Sequence, residues 1–218
     1  MSNPVLVVVG AGPGVGASVA RRFGREGYDV ALVARSVAPL TALGRHLQGE
    51  GITTGWTALD ITDEDALRAA VVRFGGFAGH LDVLHFNPSA FTAKDPLSLT
   101  VDDLLADVRL GVAPVLTAVQ AARPFLRAGA RILATGSQAA DRPSHDAASL
   151  GVQKAGLRNL IRSVDATLRG DGIRAASVTV NGTLARGTAF DPDRVADALY
   201  AAAHQPEDAW HTEVPYNG

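Results

Sequence analysis

The chain contains no cysteine among its 218 residues. Disulfide scaffolds, thiolate metal sites and cysteine nucleophiles are therefore excluded, and no metal site is expected. An excess of charge is missing too: 20 Lys and Arg stand against 22 Asp and Glu, a formal charge of −2. Such a balance does not wrap a polyanion, so nucleic acid is not expected as a partner. Long apolar runs are also lacking. Val5–Val9 is the longest aliphatic stretch, far short of the ~20 residues that span a bilayer. It has no basic flank of the signal-peptide kind. The expectation is a cytoplasmic chain with no membrane partner. No composition break marks a boundary, and no repeat appears at solenoid periods. What is present is 47% hydrophobic residues against 19% charged, enough for one substantial core. One domain over residues 1–218 is expected.

Short aliphatic runs alternate with longer amphipathic stretches. The runs are Val5–Val9, Asp29–Ala34, Thr54–Ala58, Asp82–Phe86, Arg131–Thr135 and Ala175–Val180. Most do not alternate with polar residues, as suits parallel strands covered on both faces. Helical stretches lie between them at 15–26, 37–49, 63–75, 101–127 and 147–169, with another at 193–204. Thr212–Tyr216 could add an edge strand. The alternation predicts an α/β fold, a single doubly wound parallel sheet of the Rossmann type with helices on both faces. Pro114 falls inside the 101–127 stretch and should bend that helix. Gly75–Gly79 and Arg186–Pro192 read as loops.

The strongest local signal follows the first strand and opens the first helix: Val9-Gly10-Ala11-Gly12-Pro13-Gly14-Val15-Gly16. Glycines recur where backbone must approach a pyrophosphate closely, and the helix start directs its positive end at the anion. The G-x-G-x-x-G spacing fails, because Val15 stands where its third glycine belongs. G-x-x-x-G-x-G fits through Gly10, Gly14 and Gly16, with Gly12 between them; a merely glycine-rich turn is the alternative. The second strand ends Ala34-Arg35-Ser36, without the carboxylate that accepts from an NAD ribose. A guanidinium there suits a 2′-phosphate, which favours NADP(H) over NAD(H); a solvated surface arginine is the bland alternative.

On these residues the chain resembles the short-chain dehydrogenase/reductase family over nearly its whole length. The glycine turn is similar to the family's T-G-x-x-x-G-x-G, with Val9 in place of Thr. Leu59-Asp60-Ile61 matches the acidic position after strand three, which the family uses at the adenine. Asn87-Pro88-Ser89 stands where the family has N-A-G beside the cofactor ribose. Asn181-Gly182-Thr183 stands at the family's Pro-Gly after strand six, which adds Gly182 and Thr183 to the cofactor residues. The resemblance makes Ser137 the catalytic serine and Lys154 the lysine that binds the nicotinamide ribose. It implies a small-molecule carbonyl, alcohol or imine substrate, and a homodimer or homotetramer paired through the helices at 101–127 and 147–169. Leu157, Leu160, Ile161 and Val164 could supply that surface or the chain's own core.

The family's proton donor, a tyrosine four residues before the lysine, is Leu150 here, and the chain's tyrosines are Tyr28, Tyr200 and Tyr216. Arg109 stands at the family's catalytic asparagine. His145 is a candidate replacement acid, able to titrate near neutrality, or simply a solvated loop histidine. Ser137 could likewise be a structural strand-end residue. About ten residues separate Gly182 from the next helix near Asp193, too few for a helical lid, so an open cleft is expected. Trp210 is expected to pack against a sheet edge or an interface rather than contact substrate. Three readings remain: an NADP(H)-dependent oxidoreductase with altered proton delivery, a silent NADP-binding sensor or partner subunit, and a non-redox enzyme using the same cleft.

Overall fold

A computed structural model describes residues 2–218. The aliphatic runs become strands β1 (Val5–Val9), β2 (Asp29–Ala34), β3 (Thr54–Ala58), β4 (Leu81–Phe86), β5 (Leu126–Ser137), β6 (Arg174–Val180) and β7 (Glu213–Tyr216). All pair in parallel in one sheet, in the order β3-β2-β1-β4-β5-β6-β7. β1 is buried along its entire length, as its unalternating aliphatic residues require. Chain order reverses between β1 and β4, and the carboxyl ends of these two strands open a crevice suited to a ligand.

Helices α1 (Val15–Arg25), α2 (Val37–Gly49) and α7 (Pro192–Ala203) cover one face of the sheet. Their core includes Val8, Phe23, Leu32, Leu47 and Leu199. On the other face lie α3 (Glu64–Ala78), α4 (Val101–Gly111), α5 (Pro114–Ala122) and α6 (Ala148–Leu168). Here Val7, Phe86, Leu67, Val115, Leu157 and Ile161 pack together. Leu157, Ile161 and Val164 are thus core residues, and Leu160 packs partly buried beside them; they do not form an exposed pairing surface.

Three boundaries differ from the sequence reading. The single bent helix expected over 101–127 is two helices. Val112 leaves helical geometry, and Pro114 starts α5 at its first turn, where a missing N–H costs no hydrogen bond. The same stretch, Val101–Phe125, is apolar and long enough to cross a membrane by composition alone; the break divides it, and α5 packs its apolar face onto the sheet. Residues 126 and 127 belong to β5, because Leu126 pairs with Leu81 and a register shift follows before Val83 meets Arg131. Gly75 and Gly76 remain helical, and α3 ends only at Gly79, whose φ is +76°.

Gly75 is required by the Phe125 ring, which lies 2.4 Å from where a β-carbon would stand. Glycine-to-alanine inside a helix ordinarily stabilises by up to ~1 kcal/mol. At Gly75 the sign should invert: overpacking against Phe125 should cost about 1–3 kcal/mol in chemical denaturation. A neutral or stabilising Gly75→Ala would contradict that packing.

β7 closes the sheet edge through charge and aromatic contacts. Glu213 accepts from Arg158, Arg162 and the Thr179 hydroxyl at 2.8, 2.7 and 3.0 Å. Trp210 stands between the Arg131 and Arg174 guanidiniums, 5.0 and 4.9 Å from its ring, and donates to the Ala175 carbonyl. It is an edge-packing residue, as expected. Between Val180 and Pro192 there is no helix, so no helical lid rises over this end of the sheet.

Candidate functional site

A cleft of about 660 Å³ opens where β1 and β4 diverge. The glycine turn forms its floor. Gly10 has φ +92°, a conformation that side chains resist. Its N–H and that of Ala11 both donate to the Val33 carbonyl, fastening the turn to β2. Gly16 is set by close approach: a β-carbon there would stand 2.4 Å from the Gly10 carbonyl oxygen. Gly12 and Gly14 differ, since added β-carbons would meet nothing within 4 Å. Gly14 caps α1 without a side chain, and Val15 follows as the first helical residue. The Ala17 N–H donates to the Gly12 carbonyl at 3.0 Å, and the Val15 and Gly16 amides are left for an anion. Gly16→Ala should displace the turn, weakening dinucleotide binding about tenfold or more as read by fluorescence titration, with little change in the far sheet.

Gly10, Gly12, Arg35, Ser36, Ile61, Asn87, Pro88 and Ser89, all singled out by sequence, line this one cleft. Arg35 is exposed at the end of β2 and makes no hydrogen bond or ion pair among the described residues. Ser36 caps α2 in extended conformation with its hydroxyl uncommitted. Asp60 is exposed beside the cleft. Its Oδ1 accepts from the Thr62 N–H and hydroxyl at 2.9 and 2.8 Å, and these bonds, with Arg35 nearby, hold its carboxyl below the usual carboxylate range.

Behind the turn runs a buried polar chain. The Thr135 hydroxyl donates to Asn87 Oδ1 at 2.8 Å, and Asn87 Nδ2 donates to the Gly10 carbonyl at 3.0 Å. Having given its proton to Asn87, the Thr135 oxygen must accept from His85 Nε2 at 2.9 Å. His85 is therefore the Nε2–H tautomer, and its buried Nδ1 has no partner among the described residues. Burial pushes its pKa down to about 3, so it stays neutral.

The same Thr135 joins the turn to Lys154. Lys154 Nζ donates to the Thr135 carbonyl at 3.1 Å and has no carboxylate partner among the described residues. Burial lowers its pKa to about 8. Ser137 ends β5 two residues further on, and its oxygen accepts from the Ala139 N–H, which leaves the hydroxyl proton free to be donated. Leu150 lies one helical turn before Lys154 on α6, half-buried and on the same face.

Other expected residues lie apart. His145 is 87% exposed and faces Asp146 at 3.1 Å. Arg109 is exposed on the outer side of α4, beside Asp102 and Leu105. Gly182 packs under Phe190, and Thr183 is exposed in the loop after β6. No tyrosine lines the cleft: Tyr28 and Tyr200 pack on Phe23, and Tyr216 donates its hydroxyl to the Ala189 carbonyl.

Sequence reasoning missed several residues. Arg21, Leu40, Leu43 and Leu110 also line the cleft; Arg21 falls one turn after Ala17 on the helix that opens at the glycine turn, a spacing that could have found it. Gln153 was missed as well. It fits over Gly111, and its amide bonds both the N–H and the carbonyl of Ala90, at 3.0 and 3.1 Å. Asp107, buried on α4, accepts from Thr92 and Ser149. Together they pin the segment after β4 against α4 and α6.

A profile of the short chain dehydrogenase family matches residues 4–193. The chain belongs to this family. It is 32% identical over 182 residues to cis-4-hydroxycyclohexanecarboxylate dehydrogenase of Sinomonas cyclohexanicum, covering 80% of this chain and 71% of that protein. A short chain dehydrogenase from Burkholderia cenocepacia J2315, solved in complex with NADP, superposes with a TM-score of 0.90 at 28% identity, over 100% of this chain and 97% of the other. A metagenomic short-chain oxidoreductase, also solved with NADP, gives 0.87 at 27% identity, over 98% and 96%. For a short-chain dehydrogenase, the doubly wound sheet and the cleft at its reversal point stand where a dinucleotide is held.

Proposed function

We propose that this protein is an NADP(H)-dependent oxidoreductase acting on a small carbonyl, alcohol or imine, with proton delivery that does not use a tyrosine. The observation that carries the proposal is the uncommitted Arg35 guanidinium beside an amide-lined glycine turn, in a cleft with no carboxylate at the end of β2. The residues fit the cofactor. Gly14, Val15 and Gly16 would hold the diphosphate through backbone amides, and Gly12, whose N–H donates to the Gly10 carbonyl, would leave room for it by lacking a side chain. Arg35 and Ser36 would hold the 2′-phosphate, Asp60 and Ile61 the adenine side, and Asn87, Pro88 and Ser89 the ribose. Gly182 and Thr183 would border the nicotinamide end.

When bound, NADP(H) supplies hydride chemistry at its nicotinamide. Lys154 would orient the nicotinamide ribose through its ammonium, seated on the Thr135 carbonyl. Ser137 would donate its free proton to the substrate oxygen or nitrogen, polarising the bond to be reduced. Leu150 has no proton to transfer, and His145 is turned to solvent against Asp146. Water entering the lidless cleft is then the favoured proton source, with His145 the side-chain alternative. Losing a positioned acid costs ~10²–10⁴ in rate, so slow turnover is expected. The same Leu150 favours a second reading, a silent NADP-binding sensor or partner subunit.

The test is consumption of NADPH with diketones, quinones and imines. Slow, saturable oxidation that Ser137→Ala abolishes supports the enzyme. NADPH binding without any turnover supports the silent protein. We further propose a cytoplasmic homodimer or homotetramer joined through α4 and α6, where Val101, Leu105 and Val152 are 71%, 59% and 51% exposed. Leu105→Glu should shift sedimentation toward the monomer, and an unchanged profile would contradict that pairing.

A further inference from the structure

His85 is fully buried on β4. Its cross-strand neighbours are Val8 of β1 and Leu133 of β5, and both belong to the apolar layer under α1 and α7. Val83, two residues earlier on the same side of β4, belongs to it as well. An aliphatic side chain would suit this place. An imidazole has to shed its water there, and its Nδ1 is one of two buried side-chain polar atoms without a partner among the described residues, the other being Ser177 Oγ. Such orphans are uncommon, because each costs its desolvation without a hydrogen bond in return. The binding and proton-transfer roles assigned above make no use of this histidine.

What the imidazole does follows from the Gly10 carbonyl, which can only accept. Asn87 must turn Nδ2 toward it, at 3.0 Å, and so presents Oδ1 to Thr135. That oxygen also only accepts, so the single hydroxyl proton of Thr135 has to go to it, at 2.8 Å. An unprotonated Nε2 at 2.9 Å would compete for this proton. An Nε2–H cannot take it, and fills the acceptor side of the Thr135 oxygen instead. The tautomer that does so leaves Nδ1 a bare lone pair, which burial tolerates better than a bare N–H. We infer that His85 is a positioning residue of the cleft: by donating to Thr135 it commits that hydroxyl to Asn87, which fixes the Gly10 carbonyl and with it the glycine turn. This rests on the reading of the cleft as a dinucleotide site. The Gly10 oxygen also accepts from the Gly12 N–H at 2.9 Å, and it is the atom that leaves Gly16 no room for a β-carbon. Its place therefore sets where the amides at the start of α1 stand.

Substitutions at His85 and Thr135 test this by NADPH titration, urea denaturation and amide hydrogen exchange. His85→Leu removes the orphan nitrogen and should keep or raise the urea midpoint, yet weaken NADPH about three- to tenfold. In the unliganded protein it should speed exchange of the Gly12 amide by a similar factor. His85→Gln carries an N–H at nearly the reach of Nε2 and should restore both to within about twofold of the unmodified protein. Thr135→Val removes the hydroxyl that relays the effect, so adding His85→Leu to it should weaken NADPH by less than about twofold more. Should His85→Leu not fold, His85→Met replaces it. A His85→Leu protein that binds NADPH and protects Gly12 as the unmodified protein does overturns the proposal. So does a full further loss in the Thr135→Val background, or a His85→Gln protein that restores neither, since either marks packing rather than a directed hydrogen bond. An unmodified protein that binds no NADPH sinks the NADP(H) reading, and Gly12 exchange then still decides for or against His85.

Discussion

Leu150→Tyr should raise NADPH-dependent reduction of an activated carbonyl about 10²–10⁴-fold, the usual worth of a positioned general acid. Leu150 and Lys154 share a face of α6 one turn apart, so a phenol at 150 would lie beside the Lys154 ammonium. A neighbouring cation favours the phenolate and lowers the phenol pKa from ~10 toward the working pH. Leu150 is only half-buried, which leaves room for the larger ring. Leu150→Phe supplies the bulk without the hydroxyl and should give no gain. A Leu150→Tyr variant that folds, binds NADPH and reduces no faster would place Leu150 away from the reacting atoms. Gains in both variants would show that volume, and not the proton, was limiting.

Lys154→Met should stabilise the protein by about 2–3 kcal/mol at pH 7 while weakening nucleotide binding. Lys154 is 4% exposed, and its one hydrogen bond among the described residues goes to the Thr135 carbonyl. Burial lowers its pKa from 10.5 to about 8, so the folded state disfavours the ammonium. Below about pH 8 the lysine is charged in both states, and the full penalty is present. Between about pH 8 and 10.5 the folded protein has released a proton that the unfolded chain still holds, so stability rises with pH. In the methionine variant that rise should vanish. Urea denaturation across this range measures both effects. A destabilised Lys154→Met, or one that keeps the alkaline rise, would mean that the ammonium has a stabilising partner beyond the Thr135 carbonyl.

Much of this was legible in the sequence because it depends on local rules. The uninterrupted aliphatic run at 5–9 identifies a strand covered on both sides, and glycines at 10, 14 and 16 announce the turn that follows. Arg35 and Ser36 are found by their position at the end of β2. The rest depends on contacts distant in sequence. Whether Gly75 ends a helix or receives a ring is decided by Phe125, fifty residues later. Pro114 could bend a helix or begin one, and Val112 leaving helical geometry chose the second. His85 reads as a strand residue; only the fold brings it to Thr135 and so to Asn87 and the glycine turn. His145 has suitable chemistry, but the loop carries it into solvent, and exposure is a property that residue type does not encode. Ser137 and Lys154 were singled out through the family pattern, while the chain joining Lys154 to the glycine turn through Thr135 had no local signal.

The central claim is that the glycine turn and Arg35 together select a phosphorylated dinucleotide. Titrating the unmodified protein with NADPH and with NADH, in the same buffer and at low salt, tests it most directly. NADPH should bind at least about tenfold more tightly, and that margin should shrink as salt screens the exposed guanidinium. Equal affinity for the two, or binding of neither, would contradict it.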